Sequence, residues 1–151
     1  MPDGATHETH GVIAEASDAL VATLSARLDA LLASWQLAMD AKRKEPVTVG
    51  NAPPRPPAEV LAELERELAD LERRCAEQRQ AAGNESEQAA DWERRAMSAV
   101  QNGRDDLARE ALNHHHNHLD AATQLAAEVT ELEAVRDSYR NAVTAVRATT
   151  A

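Results

Sequence analysis

Asn102-Gly103-Arg104-Asp105 is the stretch of this sequence that decides the fold. Glycine adopts the left-handed backbone conformation that ends many helices, and aspartate suits the start of the next helix, both as a cap and against the helix dipole. No proline follows Pro57, so few other positions in the last two-thirds of the chain favour a helix end. We therefore predict a turn at about residues 102 to 105.

Two long helices are predicted to flank this turn, over residues 58 to 151. Apolar side chains recur every three or four residues on the outgoing helix and with a seven-residue rhythm on the returning one. The outgoing positions are Leu61, Leu64, Leu68, Leu71 and Cys75, and the returning positions are Leu125, Val129, Leu132, Tyr139, Val143 and Val146. This pattern predicts an all-α fold built on a long antiparallel coiled-coil helical hairpin. Around Gly83 the pattern thins, and both a continuous helix and a kink agree with it.

The chain before the hairpin divides into three segments. Residues 1 to 11 contain a proline, two glycines and no apolar periodicity, and are predicted to be disordered. Residues 12 to 44 carry an apolar stripe at helical spacing, which predicts a separate amphipathic helix. Five of the chain's six prolines lie in residues 45 to 57, so this segment is predicted to be an extended tether.

The apolar stripe of the first helix has two interpretations. Its members are Leu20, Leu24, Leu28, Leu31 and Trp35. As a membrane-surface helix it has a weak polar face, because several aspartates there oppose Arg27, whereas anionic lipid attracts basic residues. As a third helix it folds back through the tether and packs on the hairpin or on a second subunit. We favour packing on protein.

Composition argues against several classes of protein. The formal charge is −10 and the basic residues are not clustered as phosphate binding requires, so nucleic acid is not a predicted partner. The single cysteine permits no intramolecular disulfide, and the N-terminus lacks the apolar stretch of a secretory signal, so the cytoplasm is the predicted compartment. No apolar run is long enough to span a bilayer, so membrane contact is predicted to be peripheral at most.

No catalytic residue and no cofactor is predicted. The sequence has no nucleophile–base set, no phosphate-cradling glycine loop and no metalloprotease motif, so the protein is predicted not to be an enzyme. His114 and His118 lie one turn apart in a histidine cluster, which makes them weak candidates for a metal site, with a further ligand needed near Asp91 or Glu93. We favour a solvated helix face, and a pH-sensitive face is another interpretation.

Small and apolar residues surround the turn. An apolar patch on the returning helix faces a small-residue surface on the outgoing helix, which favours close approach. The patch comprises Leu107, Ala108, Ala111 and Leu112, and the small-residue surface comprises Ala96, Ala99 and Val100. A well-closed hairpin end and a partner-binding end both agree with this pattern.

The residues on both sides of the turn also form a recognisable motif. They are Asp91-Trp92-Glu93-Arg94-Arg95-Ala96 and Ala99-Val100-Gln101-Asn102-Gly103-Arg104-Asp105-Asp106-Leu107-Ala108-Arg109-Glu110-Ala111-Leu112. This motif resembles the bacterial phage shock protein A family, whose pattern here is a tryptophan, a basic–alanine pair, an alanine–leucine pair and then Gly-Arg-Glu-Asp-Leu-Ala-Arg-x-Ala-Leu. The match crosses the tip of the family's hairpin, and the flanks fit from about 58 to 148.

The resemblance implies a non-enzymatic scaffold or interaction protein of the membrane-stress response. Members of the family self-associate through helical hairpins, bind anionic membranes through an amphipathic N-terminal helix and restrain a regulatory ATPase. Self-association, a protein partner such as a regulatory ATPase and weak peripheral contact with the inner membrane are therefore the expected interactions. The expected interaction tip comprises Trp92, Arg104, Asp105, Leu107, Arg109 and Leu112.

Two features depart from the family. The sequence ends at Ala151, just after the hairpin, and the proline tether separates the first helix from the hairpin. Both departures argue against polymerisation and membrane remodelling by this chain. The alternative function is that of a regulatory adaptor or a structural coiled-coil dimer that binds a partner protein without membrane contact.

Overall fold

The protein is described by a computed structural model whose backbone covers residues 5 to 43 and 55 to 150. Within these ranges the chain forms three α-helices: α1 over Ala5–Arg43, α2 over Pro57–Gln101 and α3 over Asp105–Thr150. The same ranges contain no β-strand. The predicted all-α fold, a helical hairpin preceded by a further helix, is confirmed.

The first helix begins earlier than the sequence pattern indicates. Residues 5 to 11 are helical, although they belong to the segment predicted to be disordered. This stretch contains no proline, and Gly11 alone costs a helix interior only about 1 kcal/mol relative to alanine, so the helix of the apolar stripe extends through it. Residues 1 to 4, residue 44 at the end of the predicted first helix, residues 45 to 54 of the predicted tether and residue 151 lie outside the described residues.

Helix α2 begins at a proline and continues through a glycine. Pro57 needs no hydrogen-bond partner for its nitrogen in the first turn, and the carbonyl of Pro56 accepts from the N–H groups of Glu59 and Val60 at 3.0 and 3.2 Å. Gly83 lies within the unbroken helix, so the chain has no helix break there. The prolines and glycines of the hairpin thus permit one turn in its described part.

The chain divides into two compact units. The first comprises Met1–Glu72 and Glu131–Ala151 and is called the three-helix unit, because α1 joins parts of α2 and α3 there. The second comprises Arg73–Thr130 and is called the two-helix unit, because it holds the remainder of α2 and α3 with the turn.

The core of the three-helix unit is built from large apolar side chains of all three helices. The members from α1 are Leu24, Leu28, Leu31, Trp35 and Ala38, those from α2 are Val60, Leu64 and Leu71, and those from α3 are Leu132, Val135, Tyr139, Ala142, Val143 and Val146. Tyr139 is completely buried, and its hydroxyl donates to the carbonyl of Leu24 at 2.9 Å. The predicted stripe of α1 therefore packs on protein here, with Leu20 half-buried at its edge.

Ion pairs at the surface of the three-helix unit show how its helices run. Arg140 bonds to Glu72 at 3.1 Å, and Arg147, two helical turns later, bonds to Glu65 at 3.0 Å. The position on α2 falls as the position on α3 rises, so the two helices are antiparallel. Arg27 of α1 bonds to Glu67 of α2 at 2.9 Å. These pairs are partly exposed and contribute little stability each, but they agree with the register of the core.

The two-helix unit has a different core. Apart from Cys75 and Val129, its buried apolar residues are alanines, namely Ala89, Ala96, Ala108, Ala111 and Ala122. Alanine allows two helix backbones to approach closely, but each alanine removes little apolar surface from water. Contacts made by larger side chains beside this seam therefore contribute a larger share of the stability in this unit than in the three-helix unit.

Candidate interaction site at the hairpin turn

The turn between α2 and α3 is closed by the backbone. Gly103 has a φ of 70°, the left-handed conformation that glycine adopts without steric cost. Its N–H donates to the carbonyl of Val100 at 3.1 Å, and the N–H of Arg104 donates to the carbonyl of Ala99 at 2.8 Å. These two bonds satisfy carbonyls that the end of a helix otherwise leaves without a partner.

Helix α3 begins with acidic residues in its first turn. The carbonyl of Arg104 accepts from the N–H of Ala108 at 3.0 Å, which makes Arg104 the capping position. The sequence pattern predicts a capping role for the aspartates at the start of this helix, whereas Asp105 and Asp106 are the first residues inside it. Their carboxylates there still oppose the positive end of the helix dipole, and that of Asp106 lies 3.5 Å from the Arg104 guanidinium.

The seam below the turn differs from its sequence-based description. Ala96, Ala108 and Ala111 are buried, as a close helix contact requires, but Val100 is 60% exposed. Leu107 and Leu112 are 43% and 41% exposed. Because alanines fill the closely approaching surfaces, the larger side chains are displaced to the sides of the seam. The two leucines of the predicted apolar patch thus lie largely at the surface, while its two alanines are buried.

Exposed apolar side chains therefore concentrate around the turn. The set, called here the apolar tip residues, comprises Met97, Val100, Leu107 and Leu112. Sequence analysis identified Leu107 and Leu112 as tip residues but missed Met97, and it placed Val100 in the seam. The remaining predicted tip residues are Arg104, Asp105 and Arg109, which are exposed, and Trp92, which is half-buried.

Trp92 lies in a stack of three side chains. The ring of His114 is nearly parallel to the indole, with centroids 4.2 Å apart and an interplanar angle of 20°. The guanidinium carbon of Arg95 lies 4.4 Å from the centroid of the same ring. The indole therefore contacts one side chain of α3, His114, and one of its own helix, Arg95. Sequence analysis did not identify Arg95, although its spacing of three from Trp92 is the available signal.

A shallow, open groove adjoins this stack. Its charged and polar lining residues are Arg95, Ser98, Asn102, Arg104 and Glu110, and the rest of its lining is Trp92, Ala99, Leu107 and Ala111. Both helices and the turn contribute residues to the groove. Its lining therefore combines guanidinium and amide donors with apolar side chains.

The histidine cluster is engaged with α2. The Nδ1 atom of His115 lies 2.7 Å from the carbonyl oxygen of Ala89, and because a carbonyl only accepts, this nitrogen carries the hydrogen. The Nδ1 atom of His118 lies 2.6 Å from Oε2 of Glu85. With His114 stacked on Trp92, three of the four clustered histidines are half-buried contacts, and His116 alone of these is exposed. A solvated face, the favoured interpretation from sequence, holds for His116 only.

The structure does not assemble a metal site from these histidines. No group of three or more histidine, cysteine or acidic side chains within the described ranges has a geometry that could hold a metal ion. His114 packs on an indole, and His118 is bonded to Glu85 rather than directed with His114 to a common point. Asp91, one of the facing residues considered as a further ligand, pairs with Arg94.

The apolar surfaces of the described helices determine what contact they could make with a membrane. None of them contains a stretch both long and apolar enough to cross a bilayer. The apolar stripe of α1 is buried within the three-helix unit, as described above.

The sequence is similar to that of a curated protein. A curated relative described as a phage shock protein A homolog, from Deinococcus radiodurans, is 30% identical over 122 residues. The match covers 81% of this chain and 55% of the relative, so the chain spans about half the length of the curated relative that it matches. No protein-family model matches the sequence, and no solved structure matches it.

Proposed function

Because this chain is related to the phage shock protein A family, we propose that it is a non-enzymatic scaffold of the membrane-stress response that acts through its helical hairpin. It associates with other copies, or with a partner protein, by contacts of the hairpin turn. Its place is the cytoplasm, at the surface of the inner membrane. The observation that carries this proposal is the exposure of the apolar tip residues on a turn that is already closed.

The exposed apolar tip residues are not needed to close the hairpin. Backbone hydrogen bonds of Gly103 and Arg104 end α2, and buried alanines form the seam below. Met97 and Val100 nevertheless leave 59% and 60% of their surface in water. A single exposed apolar residue is ordinary, but a concentration of several at one end of a small unit is typical of an interaction surface.

A regulatory adaptor is the second candidate, and the position of α1 favours it. The stripe that a membrane-surface helix would insert into lipid is instead covered, since Leu24, Leu28, Leu31 and Trp35 are buried in the three-helix unit. Binding of lipid through this stripe would require α1 to leave its core and to break the bond from Tyr139 to Leu24. An adaptor that binds a partner such as a regulatory ATPase needs no such rearrangement.

Sedimentation velocity tests the role of the tip. We expect the wild-type chain to form species larger than a monomer and the double variant Met97→Ser, Val100→Ser to shift toward the monomer, because apolar surface drives association. The matched control is Leu37→Ser, which removes an apolar side chain that is 48% exposed on α1. Association unchanged in the double variant would contradict hairpin-tip association. A wild-type chain that is monomeric at all concentrations would favour the adaptor.

A further inference from the structure

We propose that the groove beside Trp92 binds a protein segment that presents a carboxylate next to a bulky apolar side chain, with Arg95 as the anchor. This inference rests on the proposed function, since it specifies the chemistry of a partner at the hairpin turn. It is carried by a preorganised guanidinium, a second guanidinium in the lining of the same groove and the apolar side chains that line the groove with them.

Arg95 is held in place without using its hydrogen-bond donors. Its guanidinium lies over the indole of Trp92, and the described residues provide it with no carboxylate. The adjacent Arg94 differs, because it pairs with Asp91. A guanidinium that stacks on an aromatic ring keeps its planar set of N–H donors available, and that set matches the two oxygens of a carboxylate.

The rest of the groove complements this anchor. Arg104 contributes a second guanidinium, 59% exposed and only loosely paired with Asp106 at 3.5 Å. Leu107 and Ala111 of α3 provide apolar surface beside the two arginines. An occupant that offers one acidic and one bulky apolar side chain would satisfy both parts, whereas a purely apolar occupant would leave the guanidinium groups beneath it without partners.

The surrounding charge favours a protein segment over a lipid surface. Glu110 lies in the lining of the groove, and Asp105 and Asp106 occupy the adjacent first turn of α3. An anionic membrane would bring many phosphates against these carboxylates, and peripheral binding of such membranes relies on clusters of basic residues without interspersed acids. A single carboxylate on a helix or loop approaches the two arginines and avoids most of this repulsion.

Peptide binding to the full chain tests the inference. The probe is a fluorescein-labelled amphipathic peptide of about 20 residues, long enough to form a helix, with leucine on one face and glutamate beside it. Matched peptides carry glutamine or lysine in place of glutamate. Fluorescence anisotropy gives the dissociation constants, and the indole N–H signal of Trp92 in a ¹H–¹⁵N spectrum, assigned with Trp92→Phe, reports the site while that of Trp35 serves as an internal control.

The variants distinguish the specific contribution of Arg95 to peptide binding from the effect of net charge. Arg95→Gln should weaken binding of the glutamate peptide about tenfold, the usual scale of a lost charge-assisted hydrogen bond. Arg95→Lys should weaken it too, because lysine keeps the charge but not the planar donors. Arg74→Gln makes the same change of charge at an exposed arginine of the two-helix unit outside the groove, and should have no effect beyond twofold.

Three results would overturn the inference. The first is equal binding of the glutamate and glutamine peptides. The second is an equal effect of Arg95→Gln and Arg74→Gln on the dissociation constant of the glutamate peptide. The third is a shift of the Trp92 signal with vesicles of phosphatidylglycerol but not with the glutamate peptide. The last result would assign the groove to lipid. If Arg95→Gln still self-associates in sedimentation while peptide binding fails, the proposed function stands and only the groove assignment is lost.

Discussion

At the scale of single residues, two glycines of the hairpin have opposite roles. Gly83 lies inside α2 with open space around the position of a Cβ atom, whereas Gly103 has a positive φ that side chains disfavour. We expect Gly83→Ala to raise the free energy of unfolding by about 1 kcal/mol and Gly103→Ala to lower it by a similar amount. Urea denaturation followed by circular dichroism measures both, and a change of the same sign in the two variants would contradict the assignment of the turn.

Tyr139 links α3 to α1 through its hydroxyl. Tyr139→Phe removes the hydrogen bond to the carbonyl of Leu24 with little change in packing, so we expect a loss of about 1 kcal/mol in the free energy of unfolding near neutral pH. Val146→Ala is a packing control in the same core, since it removes buried apolar volume without altering this bond. A Tyr139→Phe variant as stable as the wild type would show that the bond contributes nothing net.

The same residue makes stability depend on alkaline pH. Burial of the phenol, with a smaller contribution from the charge of Glu67, raises the pKa of Tyr139 above its ordinary value of 10.0. The folded state therefore retains this proton while the unfolded chain releases it, so this contribution is complete below about pH 10 and is lost as the pH rises through the folded-state pKa. We expect the stability difference between the wild type and Tyr139→Phe to shrink above that pH in urea titrations.

At the scale of elements, the helices follow from sequence more closely than their contacts do. Heptad spacing and the absence of proline predict α2 and α3, and Gly103 with the aspartate after it predicts the turn, because these signals depend on neighbouring residues in the chain. The start of α1 at Ala5 does not follow from the sequence, because residues 5 to 11 lack the apolar periodicity that predicts a helix. The exposure of Val100 was missed too, because it depends on how closely alanine seams approach, and periodicity does not encode that distance.

The histidine cluster forms contacts between α3 and α2 that the sequence did not reveal. We expect His118→Gln to speed amide hydrogen exchange several-fold around residues 85 to 89 and 115 to 122. This is about the effect of losing one hydrogen bond worth about 1 kcal/mol, and the alanine core provides few other stabilising contacts there. Exchange mass spectrometry measures this, and His116→Gln is the control, since His116 is exposed. Equal exchange in the two variants would show that the contact to Glu85 is incidental.

At the scale of the whole molecule, the candidate site was predictable only in part. Trp92, Arg104 and Leu107 were assigned to the tip, and all three line the groove. Arg95 was missed, because its significance depends on the stack with Trp92 and His114, which joins side chains from two helices. The sequence motif indicates which residues surround the turn, but only packing shows which of their atoms remain accessible.

The closure of the turn also bears on how such a molecule can change over evolution. Because the backbone of Gly103 and Arg104 holds the turn, the side chains of Met97, Val100 and Leu107 are not needed to form it. Substitutions at these positions would therefore alter the interaction surface proposed above while leaving the folding of the hairpin nearly intact. If that proposal holds, a hairpin closed in this way can change its partner without a change of scaffold, so similarity of the helices is a poor guide to identity of the ligand.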